Sequence, residues 1–309
     1  MKQVFIDGSA GTTGLRIKER LKARTDVALI ELKDEDRKNE ALRKQAMNDA
    51  DAVFLCLPDD AARQAVQMVE NENTIVLDAS TAHRTLPGWV YGLPQLSGAQ
   101  KKAIQTAKRI AVSGCHACGF IVLTAPLVKA GVVDAQTVLS CTSLTGYSGG
   151  GKSMIAEYES QQRSPLLNAP RMYGLTQQHK HLKEMCAVTG LNHAPVFLPI
   201  VGDFYSGMQV TVPLPESQCK ASRAQIEEIY RSVYDDAVIR WDAHMEQDGF
   251  LSALTLSGRD DMRVGLMGTD ERLIAVAQYD NLGKGASGAA IECMNLALGL
   301  SDYEGLILE

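Results

Sequence analysis

Residues 113–119 read Ser-Gly-Cys-His-Ala-Cys-Gly, and the apolar run at 120–127 predicts a helix beginning at the first cysteine. A thiol at a helix N-terminus lies near the positive end of the macrodipole and among unpaired N–H donors, which favour thiolate over thiol. The thiolate is the nucleophilic form, so Cys115 is a candidate for covalent acyl chemistry. The plainer alternative is a small buried cysteine filling a core gap. Glycines on both sides and a nucleotide-binding motif upstream weigh against it. Cys118 completes a C-x-x-C. Zinc would need a second ligand pair, and neither another C-x-x-C nor an H-x₃₋₅-H occurs, so no metal site is expected. A dithiol redox centre is the lesser reading, because the following helix lacks a thioredoxin-like context.

Acyl chemistry at a thiol usually employs a base. Six histidines are available. His116 adjoins the nucleophile, but on a helix its side chain should diverge from Cys115. His83, His193 and His244 stand in no informative setting and read as polar surface or structural residues. His179 and His181 lie in Gln178-His-Lys-His-Leu-Lys-Glu184, expected early in a helix that begins near Thr176. Two residues on a helix turn through about 200°, so both should not face one site. His179 shares a side with Leu182 and Cys186 and is favoured as the proton carrier, with His181 against substrate. Glu184 follows His181 by three positions, close enough to orient it.

These groups need a scaffold. Residues 3–7 form a short apolar strand that runs into Gly8-Ser-Ala-Gly11-Thr12-Thr13-Gly14 and then a helix over 15–23. Strand, glycine turn and helix together expose backbone N–H groups to a dinucleotide pyrophosphate. Alternation continues with strands at 27–32, 52–57 (ended by Pro58) and 74–77, and helices at 40–46 and 61–70. Continuous apolar strands separated by helices imply a doubly wound parallel sheet, a Rossmann-type α/β domain with its ligand at the strands' carboxyl ends. Glu31 stands where an acidic group would bind an NAD ribose, while Lys33 and Arg37 could take a 2′-phosphate. The residues leave that choice open.

Beyond Cys115 the pattern changes to strands at 137–144, 195–201, 207–212 and 272–278 with helices such as 224–234, an α+β second domain. The apolar helix at 286–298 could return to the first. Gly146-Tyr-Ser-Gly-Gly-Gly-Lys152-Ser153 satisfies the phosphate-loop pattern G-x-x-x-x-G-K-S and makes an ATP-binding protein the main rival. Against it, the chain already has a nucleotide fold, and the remaining sequence offers no convincing run of parallel strands with an apolar strand ending in a magnesium-binding Asp. A glycine-rich loop also suits backbone passing close to some other ligand.

A chain of 309 residues suits two domains, and 45% hydrophobic with 22% charged residues is ordinary for a globular protein. A net charge of −6 without a basic run argues against nucleic acid or an anionic membrane. No signal peptide or membrane-length apolar stretch is evident, and seven scattered cysteines do not form a disulfide framework. A reducing cytoplasm is expected.

Together these residues resemble the N-acetyl-γ-glutamyl-phosphate reductases, in their shorter form, within the group that includes aspartate-semialdehyde dehydrogenase. The resemblance runs nearly the whole length. It is carried by Gly8 to Gly14, Asp78-Ala-Ser-Thr-Ala-His-Arg84, Tyr91-Gly-Leu-Pro94, Gly114-Cys115, His179-Lys-His181 with Glu184, and Asp280-Asn-Leu-Gly-Lys-Gly285-Ala-Ser-Gly288. One departure is that the family commonly has Pro-Gly-Cys-Tyr-Pro-Thr at the nucleophile, where this chain has Ser-Gly-Cys-His-Ala-Cys. The resemblance implies NADPH-dependent reduction of N-acetyl-L-glutamyl 5-phosphate to the 5-semialdehyde and inorganic phosphate, in arginine biosynthesis. It implies a cysteine thioester, a homodimer or homotetramer, and substrate between two domains. These are residues 1–114 with 282–309 for NADP(H), and 115–281 for catalysis, substrate and oligomerisation. Cys115 takes the nucleophile's role and His179 the acid/base role. His181, Glu184 and Arg84 would contact substrate, with Arg84 on its phosphate or carboxylate. Gly8, Gly11, Thr12, Thr13, Gly14 and Pro58 would hold the dinucleotide, and Asn281 and Gly283 would lie by the nicotinamide. Alternatives are a sister enzyme for aspartyl or aminoadipyl phosphate, and a non-catalytic NADP-binding regulator.

Overall fold

The computed structural model describes residues 1–308 in two compact units. The first comprises Met1–Gly114 and Ala286–Leu306. Its sheet has six strands, β1 (Lys2–Asp7), β2 (Val27–Ile30), β3 (Ala52–Leu55), β4 (Ile75–Asp78), β5 (Val90–Gly92) and β6 (Arg109–Val112). They are all parallel, in the order β2-β1-β3-β4-β6-β5. Such a sheet is stable only with both faces covered. Val4, Ile6, Phe54 and Leu77 point to one face, where they meet Ile17 and Leu21 of α1 (Thr12–Lys22). Phe5, Val53, Leu55 and Val76 point to the other, against Met47 of α2 (Glu40–Asp49) and Ala65 of α3 (Asp59–Met68). The alternation follows from the two-residue period of a strand. α4 is Gly98–Thr106.

Unit two comprises Cys115–Gly285 and the described residues after Leu306. Seven strands, β7 (Ser140–Gly146), β8 (Arg171–Met172), β9 (Val196–Gly202), β10 (Met208–Pro215), β11 (Ile239–Trp241), β12 (Met262–Thr269) and β13 (Arg272–Tyr279), form a mixed sheet. Their order is β11-β12-β13-β10-β7-β9-β8. The helices are α5 (Cys115–Lys129), α6 (Gly151–Glu159), α7 (Leu182–Thr189) and α8 (Arg223–Val233). The last helix, α9 (Gly288–Leu298), is buried from Gly288 to Leu296 and packs in the first unit, as its apolar sequence suggested.

α5 is apolar on all sides, the signature of a helix sunk in a core. Pro126 lacks the N–H that would reach the Val122 carbonyl four residues back. Tyr234 donates to that carbonyl at 2.6 Å, and Tyr230 donates to the neighbouring Leu123 carbonyl at 2.5 Å. The helix is thus anchored behind its N-terminus, where the candidate nucleophile sits.

The expected strands and helices fall within a few residues of those observed, with one consequential exception. No helix begins near Thr176; α7 starts at Leu182 with His181 as its N-cap. Residues 173–181 form an irregular loop tied to β9. The Tyr173 N–H donates to the Pro199 carbonyl at 3.0 Å, and the Gln177 side-chain amide both accepts from and donates to the Phe197 backbone at 2.9 and 2.7 Å.

Candidate active site

A cavity of about 330 Å³ opens at the carboxyl ends of β1 and β2 in the first unit, lined by Gly8, Ser9, Ala10, Glu31, Arg37 and Lys38 among others. Gly8 has φ +86°, and a Cβ there would lie 2.3 Å from the Cys56 carbonyl oxygen. One at Gly14 would lie 2.5 Å from the Gly8 oxygen, whereas at Gly11 the nearest protein atom is 3.5 Å away. Gly8 and Gly14 therefore close the turn, and the open side at Gly11 leaves room for a ligand's phosphates at the start of α1. Thr12 and Thr13 open that helix, and Pro58 is the N-cap of α3 beside the lining residue Leu57. These residues fit a dinucleotide. Glu31 is engaged by Lys18 at 2.6 Å and Lys22 at 3.2 Å, and the Lys18 contact above all holds its carboxyl below the usual range. Arg37 and Lys38 line the same cavity, and Arg37 pairs with the well-exposed Asp34. Lys33 precedes this segment and is not among the lining residues.

In the second unit a cavity of about 220 Å³ is lined by Cys115, His116, Tyr173, His179, Lys180 and His181, with Gly149 and Gly150 on another wall. Cys115 is the first residue of α5 and is half-buried. Its backbone is held by Tyr279, which donates to the Cys115 carbonyl at 2.6 Å and accepts from the Gly119 N–H at 3.1 Å. The phenol thus stands within the first turn, an approach possible because a Cβ at Gly119 would come within 2.6 Å of that oxygen. Gly285 passes so close to Cys115 that its own Cβ would lie 2.9 Å from the cysteine's. Neither Tyr279 nor the contact at Gly285 was foreseeable from local sequence.

The loop geometry overturns the helical argument about the histidines. Both His179 and His181 line the Cys115 cavity, with ring centroids 4.7 Å apart. The His181 N–H donates to His179 Nδ1 at 3.3 Å, which places the proton of the neutral ring on Nε2. Burial first, and then the Lys180 charge, lowers the His179 pKa. His181 stands 3.9 Å from Glu184, an ion-pair approach longer than a direct hydrogen bond. Glu184 is only 1% exposed and is not among the residues lining the cavity, so its place is beside the His181 ring.

His116 does not diverge from the site. It lines the cavity within 6 Å of both other rings, with Nδ1 2.7 Å from Ser143 Oγ and Nε2 2.6 Å from the Tyr173 hydroxyl. Burial pushes its pKa down to about 3, so it is uncharged at neutral pH. Tyr173 was missed by the sequence reading. Burial, and then the nearby Cys115, raises its pKa. Among the described residues no group of three or more His, Cys, Asp and Glu could hold a metal ion, and no helix is long and apolar enough to cross a membrane.

Other expected site residues have structural partners. Arg84, in the first unit, donates to the Val112 and Ala79 carbonyls at 2.9 and 3.0 Å. Asn281 accepts from the Gly207 N–H and donates to Ser148 Oγ, so its amide braces the 146–150 loop. Gly283 is pressed against the Arg259 carbonyl, and a Cβ there would lie 1.8 Å from that oxygen. Asn281 and Gly283 belong to the second unit and are not among the residues lining the first-unit cavity. The phosphate-loop pattern is also accounted for. β7 lies between an antiparallel β10 and a parallel β9, Gly149 and Gly150 face the Cys115 cavity, and Lys152 is exposed.

Residues 2–104 match the family described as semialdehyde dehydrogenase, NAD binding domain, and residues 115–281 match semialdehyde dehydrogenase, dimerisation domain. The chain is 40% identical to N-acetyl-gamma-glutamyl-phosphate reductase 2 of a Nostoc species, over 98% of this chain and 99% of that one. It is 42% identical to N-acetyl-gamma-glutamyl-phosphate reductase of Sinorhizobium medicae, over 96% and 98%. Its fold matches aspartate semialdehyde dehydrogenase II from Vibrio cholerae, with TM-score 0.68, 15% identity and 97% and 99% coverage. It also matches aspartate semialdehyde dehydrogenase with NADP from Candida albicans, with TM-score 0.66, 16% identity and 96% and 98% coverage.

Proposed function

The chain belongs to the N-acetyl-gamma-glutamyl-phosphate reductases of the semialdehyde dehydrogenase family, and from that premise we propose that it works through a thioester on Cys115. The reaction is reduction of N-acetyl-L-glutamyl 5-phosphate to N-acetyl-L-glutamate 5-semialdehyde with release of phosphate, a step of arginine biosynthesis. The observation that carries the mechanism is Cys115 at the head of a buried helix, on a cavity wall shared with His179 and His181.

The N–H groups of the first turn favour the Cys115 thiolate. It bonds to the acyl carbon as the bond to phosphate oxygen breaks, and the proton consumed overall ends on the released phosphate. Sulfur donates resonance weakly, so the thioester carbonyl remains electrophilic. When bound, the reduced nicotinamide supplies the hydride. The resulting oxyanion is met by donors of the α5 first turn and by the His179 Nε2–H, and its collapse re-forms the thiolate and frees the aldehyde. His181, backed by Glu184, presents a second polar ring to substrate.

NADP(H) is the cofactor this reading favours. Glu31 is taken up by two lysines, and Arg37 and Lys38 stand ready for a ribose phosphate. Replacing both Arg37 and Lys38 with Ala is expected to lower the NADPH-over-NADH ratio of kcat/KM about 10²-fold, since charge-assisted hydrogen bonds contribute about 1.5–3 kcal/mol each. An unchanged ratio removes the assignment. Nucleotide binding belongs to the first unit, and catalysis with homo-oligomerisation to the second. Seven scattered cysteines without a disulfide framework suit a reducing, cytoplasmic setting.

The functional test supplies N-acetyl-glutamate 5-semialdehyde with NADP⁺ and inorganic phosphate. NADPH should form only when phosphate is present, at a rate at least about 10²-fold above that with aspartate semialdehyde or the aminoadipate analogue. Comparable rates on a sister aldehyde would transfer the chain to that activity.

A further inference from the structure

Resting on the reading of Cys115 as a nucleophilic thiolate, we infer that Cys115 and Cys118 form a peroxide-driven disulfide site, with Cys118 as the resolving thiol. The two residues are the first and fourth of α5. Positions three apart share one helix face, and helix geometry puts their Cα atoms about 5 Å apart, inside the range a disulfide spans. Cys115 borders the cavity, whereas Cys118 is fully buried behind it. An accessible thiol at a helix N-terminus followed one turn later by a shielded one is the arrangement of dithiol redox centres. The helix lacks a thioredoxin-like surrounding; what it offers is one thiol that borders the cavity and a second, one turn later, that is buried. The reaction with substrate makes no use of Cys118.

The chemistry needs a hydroperoxide as oxidant. The Cys115 thiolate attacks its terminal oxygen; an S–O bond forms, the O–O bond breaks, and the alkoxide or hydroxide leaves and takes a proton. Cys118, losing its proton, then attacks the sulfenic sulfur. The S–S bond forms, the S–O bond breaks, and hydroxide leaves as water. Two thiols are oxidised by two electrons and the hydroperoxide is reduced. The disulfide removes the nucleophile from catalysis while protecting it from sulfinic acid, which thiol reductants do not reverse.

The test treats the full-length enzyme with hydrogen peroxide and follows reductase activity and the peptide carrying both cysteines. The native protein should lose activity, lose the mass of two hydrogens from that peptide, and recover on adding dithiothreitol. Cys118→Ala and Cys118→Ser should each keep the native rate before treatment but lose it irreversibly, with sulfinic acid on Cys115. If native and variant proteins recover alike, or both become sulfinic alike, Cys118 does not resolve and the inference fails while the catalytic reading stands. If Cys115 reacts with neither peroxide nor iodoacetamide at neutral pH while turnover persists, the catalytic reading itself falls.

Discussion

Cys115→Ser is expected to lower turnover about 10⁴-fold or more while leaving NADPH binding at its native level. Serine nearly preserves the shape of the side chain, and Tyr279 holds the backbone carbonyl of residue 115, so the cavity and the helix start should survive. What it lacks is an accessible anion. A thiol has an ordinary pKa near 8.5, within reach of a helix N-terminus, whereas a hydroxyl lies far above that range. The nucleotide cavity is lined by first-unit residues only, so a matched loss of NADPH affinity would point to misfolding instead. Steady-state rates and nucleotide fluorescence titration separate the outcomes. A variant that still turns over near the native rate removes the covalent route. A non-catalytic nucleotide-binding regulator on this fold would show no turnover in either protein.

Replacing His179 with Ala should reduce kcat/KM about 10²–10³-fold, the loss typical of removing one donor from a developing oxyanion. His181→Asn should cost less, because that ring has its Nε2 toward Glu184, 3.9 Å away, and a different place on the wall. A larger effect at His181 would exchange their roles. The His179 ring gives a pH signature. Its pKa is depressed by burial and then by Lys180, so it should titrate, by NMR, below its ordinary value near 6.5. Lys180→Ala should move that titration upward. Over the interval between the two values the unfolded chain binds a proton that the native ring refuses. The ring's contribution to stability is therefore intact above about pH 6.5 and declines as pH falls.

The nucleotide fold was legible because its signals are local. Strands buried on both faces are continuously apolar, and Gly8 and Gly14 sit where turn geometry excludes a side chain. β12 was not read as a strand because Gly265 and Gly268 interrupt its pattern; at Gly265 the vacant Cβ position is occupied by the Met245 sulfur. The histidine loop failed for a different reason. Gly174 and Gln177 adopt positive φ, and the Gln177 amide binds the Phe197 backbone, a partner no local periodicity reveals. With the helix gone, the angular argument separating His179 from His181 went too. His116 was discounted from its neighbour's direction, yet Ser143 and Tyr173 hold it into the cavity from distant parts of the chain. Residue types identified the nucleophile and the histidine pair, and tertiary contacts decided which atoms face them.

The most direct measurement mixes enzyme with N-acetyl-glutamyl 5-phosphate in the absence of nucleotide, then follows phosphate release and the intact mass. One equivalent of phosphate per active site should appear in a burst, with the acyl group recovered on the Cys115 peptide. Full reductase activity in a preparation that shows neither burst nor acylated Cys115 would contradict a thioester mechanism.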